Sequence, residues 1–126
     1  MIKNTLVITA LYGALAIVLG ALGAHALKHQ MNPDDLTNYK TAVFYQIIHV
    51  LAILSIFNFR LFDRRTKIMI THILLTGITL FSGSIYLISL HVVQAKSIWF
   101  ITPLGGIMFI LGWLMLAYKY WKVKNL

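Results

Sequence analysis

Four long apolar runs decide what this chain can become. They cover roughly residues 6–27, 41–59, 68–93 and 99–118, each close to the ~20 residues that a helix needs to cross a bilayer. The runs are continuous rather than alternating, so they lack the period of a membrane strand. Lipid offers no water to unpaired backbone groups, and each run therefore predicts a helix. The expected fold is all-α: one domain over residues 1–126, a polytopic bundle of four transmembrane helices. The beginning also resembles a signal peptide, with Lys3, an apolar stretch and the small-x-small Ala24-His25-Ala26. The stretch is longer than the ~7–15 residues of a signal h-region, and it is read as an uncleaved first span.

Charge agrees with this reading. Charged residues make up 11% of the chain, against roughly 25% in a soluble domain. The net charge of +8 would point to nucleic acid in a soluble protein. Here the cations flank the apolar runs, so no nucleic acid is expected and topology explains them. Four spans put both termini and the middle loop on one side. That side holds Lys3, Arg60, Arg64, Arg65, Lys67, Lys119, Lys122 and Lys124, eight cations; the other holds Lys28, Lys40 and Lys96, three. Eight against three predicts that both termini are cytoplasmic. The chain contains no cysteine, which excludes disulfides and thiol chemistry.

Two proline signals mark helix starts. Asn32-Pro33-Asp34-Asp35 supplies a cap, a first-position proline and two first-turn carboxylates, so the second helix is expected to begin near Pro33. Thr102-Pro103 repeats the signal more weakly. The favoured reading makes Thr102 the cap of a helix from Pro103 to about Trp121, rather than starting that helix near Ser97.

The polar residues of the spans converge in depth. At ~1.5 Å per residue, Gln46 lies ~8 Å and His49 ~12 Å below the outer boundary. Ser82, Ser84 and Tyr86 of the third span and Thr102 of the fourth fall in the same outer half. At 100° per residue, Tyr45, Gln46 and His49 share a helix face. These residues predict a polar pocket with His25 at its mouth. Desolvation would leave His49 neutral. Glycines at 13, 20, 23, 77, 83, 105, 106 and 112 (Gly13, Gly20, Gly23, Gly77, Gly83, Gly105, Gly106 and Gly112) are read as helix-packing positions. The third helix carries two opposed seams, Gly77-Phe81-Ser84-His91 and Thr79-Ser82-Tyr86-Ser89. That pattern suggests burial on both sides and a homo-oligomer.

Interhelical hydrogen bonding alone would account for Ser82, Ser84 and Thr102. Gln46 and His49 are stronger candidates, because polar groups inside the membrane default to function. All three acids, Asp34, Asp35 and Asp63, lie in loops. This argues against carboxylate-based pumps and intramembrane aspartyl proteases. A Ser–His dyad would lack an orienting acid. No cofactor or metal is expected, and paired histidines such as His25 with His49 leave haem b as an alternative.

The blocks "GALGAHALK", "TAVFYQIIHVLAIL", "LFSGSIYLISL" and "ITPLGGIMFILGW" resemble, in order, those of the membrane family catalogued as domain of unknown function 423, related to the transmembrane protein 256-like proteins. The resemblance covers all four spans. It implies a small polytopic protein of the bacterial cell (cytoplasmic) membrane and carries no assigned activity. The leading functional reading is a non-enzymatic protein that binds lipid or a membrane partner through the outer-half pocket. A small-molecule transporter or channel is the first alternative. A haem- or quinone-linked redox protein or membrane hydrolase is the second.

Overall fold

The computed structural model describes residues 2–58 and 60–123. Phe59, the expected end of the second span, and Lys124, one of the eight cations, lie outside the described residues. The elements are α1 (Ile2–Ala24), α2 (Pro33–Asn58), α3 (Arg64–Ser89), the single turn α4 (Ala95–Ile98) and α5 (Ile101–Trp121). The four long helices are each apolar and long enough to cross a membrane. No strand occurs among the described residues, and the fold is all-α.

The bundle is built on the antiparallel pair α2 and α3. α1 packs on one side of this pair, mainly against α2. α5 packs on the other side, mainly against α3. Half of α3's most apolar stretch is consequently buried, against 17% of α1's. Both seams of α3 are covered inside one chain: Gly77 and Phe81 meet α5, while Ser82 and Tyr86 meet α2. The two-sided pattern therefore does not require a second copy, because a central helix has two neighbours. Ile53, Ile70, Leu74, Ile78 and Phe109 form one apolar cluster. Tyr39, Ala42 and Tyr86 form another, nearer the α1–α2 turn. In lipid such clusters hold by close van der Waals packing, since the tails outside are equally apolar.

Local chemistry sets the helix ends. Asn32 accepts the Asp35 backbone N–H at 2.8 Å and its amide donates to the Asp35 carboxylate at 2.6 Å, a reciprocal cap that starts α2 at Pro33. α5 begins earlier than the Thr102-Pro103 signal suggests, at Ile101 with Phe100 as its cap residue. Thr102 is thus not the cap. Pro103 is accommodated because first-turn N–H groups have no intrahelical acceptor. α3 stops at Ser89, four residues short of the apolar run. There the Val92 N–H bonds Leu87 O at 3.0 Å and the His91 N–H bonds Ile88 O at 2.9 Å, a Schellman closure. His91 takes the left-handed position (φ 56°) usually given to glycine. Its Nε2 lies 3.0 Å from the Asp35 carboxylate, tying the end of α3 to the start of α2. His91 accordingly leaves the seam predicted for it.

Candidate functional site

The small residues of α1 bring α2 close. A Cβ added at Gly13, Gly20 or Gly23 would touch Val50, Val43 or Tyr39 respectively. At that range α2 side chains reach the α1 backbone. The Tyr39 hydroxyl donates to Leu19 O at 2.8 Å and Gln46 Nε2 donates to Tyr12 O at 2.7 Å. Gln46 Oε1 accepts the Tyr86 hydroxyl at 2.8 Å. The Tyr12 hydroxyl shares a 2.8 Å bond with Thr79 on α3. One buried amide therefore links three helices, with a cavity of about 140 Å³ beside it. Gly83 lines that cavity and packs against nothing: a Cβ there would meet open space.

His49 lies on the other side of α2. Its Nδ1 is 2.7 Å from Tyr45 O, and Trp113 Nε1 on α5 lies 3.2 Å from its Nε2. An indole N–H only donates, so Nε2 accepts, the proton sits on Nδ1, and the ring is neutral. The imidazole stacks on Phe109 at 3.7 Å between centroids, 12° from parallel. Both ring nitrogens are committed within the protein.

The serines are similarly engaged. Ser82 donates to Ala42 O at 2.8 Å. Ser84 lies 3.0 Å from Phe81 O and 2.6 Å from the Thr102 hydroxyl. If Ser84 donates to the carbonyl, Thr102 donates to Ser84. His25 sits in the turn after α1 and is exposed. The residues singled out by depth and facing thus form separate groups. Gln46 and Tyr86 belong to the α1 side, His49 and Tyr45 to the α5 side, and Ser84 and Thr102 to an α3–α5 link.

What Tyr45 and His49 do line is a groove between α2 and α5. It opens to the membrane-facing surface, holds about 710 Å³, and is walled by Phe44, Tyr45, Phe81, Phe109 and Trp113, with Gly106 leaving its floor low. The Tyr45 ring lies 4.8 Å from Phe81. Sequence reasoning missed the groove's aromatic character because Phe44, Phe81 and Phe109 read as ordinary lipid-facing or packing residues. It also did not single out Ser89 as a buried hydroxyl without a partner, beside a cleft shared with Asn38 and Thr102.

Residues 19–106 match a family model described as "Protein of unknown function (DUF423)". The chain is 36% identical to a UPF0382 membrane protein of Haemophilus influenzae over 126 residues, the whole of both chains. It is 34% identical over 123 residues to the UPF0382 membrane protein YwdK of Bacillus subtilis, covering 94% of this chain and 98% of that one. It is 35% identical over 123 residues to the UPF0382 inner membrane protein YgdD of Escherichia coli, covering 95% and 91%. No solved structure matches.

Proposed function

The chain belongs to the DUF423 family of membrane proteins of unknown function, and on that premise we propose that it is a non-enzymatic protein that holds the apolar chain of a membrane lipid in the α2–α5 groove. The observation that carries this reading is the groove itself, an aromatic-walled channel of about 710 Å³ on the membrane-facing surface. Its polar equipment suits recognition better than catalysis. His49 has both nitrogens engaged within the protein. Tyr45 lines the groove and is partly exposed to the membrane. In the orientation that the cations favour, Tyr45 lies ~6 Å below the outer boundary, where lipid esters meet their chains.

Gly106→Leu tests the idea. The nearest atom to a Cβ there is Phe81 Cδ2 at 4.0 Å, so leucine fills the groove without displacing backbone. Wild-type protein carried through mild delipidation should retain a lipid detectable by native mass spectrometry. The variant should lose it while keeping its thermal midpoint. Equal retention by both, or solute flux through liposomes that Gly106→Leu abolishes, would overturn the proposal.

A further inference from the structure

On the opposite side of α3, unconnected with the α2–α5 groove and independent of the reading above, lie two clefts. The first holds about 790 Å³ beside Asp63, Arg64, Arg65, Ile68 and Met69 at the start of α3. The second holds about 320 Å³ between α1 and α3, against Ile8, Tyr12 and Thr76. His72 lines both. We propose that these two clefts together seat an anionic glycerophospholipid, with its phosphate on Arg64 and Arg65, an ester carbonyl at His72, and one acyl chain along the α1–α3 groove.

Three observations carry the assignment. First, the lining follows the order of such a lipid. Arg65, Met69, His72 and Thr76 recur at helical spacing on one face, running from cations through a single imidazole into apolar wall. Second, the cations are uncompensated. Arg64 and Arg65 are exposed and form no salt bridge among the described residues. They sit in the first turn of α3, which contains no acid, although a helix N-terminus favours negative charge. The Asp63 carboxylate, at the N-cap position of α3 and also lining this cleft, bonds Thr66 and feels Lys119 more weakly. A phosphate would answer both guanidinium groups. Third, the depth fits. α3 has 26 residues, about 39 Å of helix against about 30 Å of hydrocarbon, so roughly one turn at each end stands in the headgroup layer. His72 lies two turns inward, exposed where a bare imidazole would face acyl chains. An ester oxygen at that level is the acceptor that it lacks.

Cations at this end also follow from topology alone, so the test compares two pairs. The full chain goes into nanodiscs of phosphatidylcholine doped with phosphatidylglycerol, and the bound lipid is read by native mass spectrometry on release. Wild type should be enriched in phosphatidylglycerol. Arg64→Gln with Arg65→Gln should cut the enrichment about tenfold, whereas Lys3→Gln with Lys122→Gln, at the same end but outside the cleft, should leave it. Thr76→Trp, plugging the chain groove, should lower retention with both arginines present. Millimolar inorganic phosphate should not displace the lipid. Equal losses from the two cation pairs would reduce the effect to general surface charge and overturn the site. Displacement by free phosphate, or full retention by Thr76→Trp, would overturn the acyl-chain component. Each variant's thermal midpoint, held near the wild-type value, excludes unfolding as the cause.

Discussion

The α2–α3 pair has two faces, and they are covered by different means. α1 is held by hydrogen bonds, two aimed at its backbone from Tyr39 and Gln46 and one that its own Tyr12 hydroxyl makes to Thr79. α5 is held chiefly by interlocking shape, beside two hydrogen bonds, Ser84 with Thr102 and Trp113 with His49. Gly105 lies on the Phe81 backbone, Gly77 receives the Phe109 ring, and Gly112 receives Leu74. The difference teaches how a lipid-embedded bundle divides its sources of stability. A hydrogen bond between membrane helices contributes only about 0.6 kcal/mol on average, so α1 should be the more easily loosened neighbour. Steric fit is unforgiving, and α5 should be tightly held and sensitive to single methyl groups.

The largest expected effect breaks the α5 face. A Cβ at Gly105 would sit against the Phe81 backbone nitrogen and 2.8 Å from its Cα, atoms that no rotamer change can move. Gly105→Ala should destabilise the protein by about 3 kcal/mol. The matched change on the α1 face, Gly20→Ala, meets only the Val43 side chain at 3.3 Å and should cost under about 1 kcal/mol. Thermal unfolding in one detergent compares them, and equal losses would erase the distinction.

His49→Leu comes next. It removes the acceptor of the Trp113 indole N–H and the ring stacked on Phe109, for about 2 kcal/mol. His49→Leu with Trp113→Phe should cost clearly less than the sum of the single changes. Additive losses would mean that the 3.2 Å contact contributes little.

On the α1 face, Gln46→Leu leaves the buried Tyr86 hydroxyl without its acceptor and should cost about 1 kcal/mol. Adding Tyr86→Phe should recover most of it. If Gln46→Leu instead costs as much as Gly105→Ala, hydrogen bonding on this face matters more than membrane averages imply.

The smallest effect is one of pH. The Thr66 hydroxyl beside Asp63, with a smaller contribution from Lys119 of α5, holds the Asp63 carboxyl below the usual carboxylate range. A lowered folded-state value stabilises the fold above the usual range, and the contribution disappears as the pH falls through and below it. The thermal midpoint should therefore decline slightly on acidification below about pH 4, and less in Asp63→Asn. An identical decline in both proteins would remove Asp63 from the α5 attachment.

Much of this organisation was legible in the residues. Run length and continuity identified four spans, and Asn32-Pro33 located the start of α2. The opposed stripes of α3 marked it as buried on both sides, but they pointed to a second copy rather than to α2 and α5. The site was less legible. Depth and facing brought Tyr45, Gln46, His49, Ser84 and Thr102 together, but 100° per residue cannot tell which neighbour a wide face meets. Gln46 and His49 are three residues apart and turn to opposite neighbours, so the expected pocket became an interhelical amide on one side and an aromatic groove on the other. Gly83 read like its packing relatives and yet borders a cavity.

By itself the sequence determined the solvent, the secondary structure and the number of spans. These follow from hydrophobicity summed along the chain and from backbone groups that lipid leaves no other way to satisfy. Only the tertiary structure decided which helix faces which, where the hydroxyls and imidazole find partners, and where gaps remain for lipid. Those outcomes depend on contacts between residues far apart in sequence, set by whether a methyl group fits or a carbonyl lies within 3 Å.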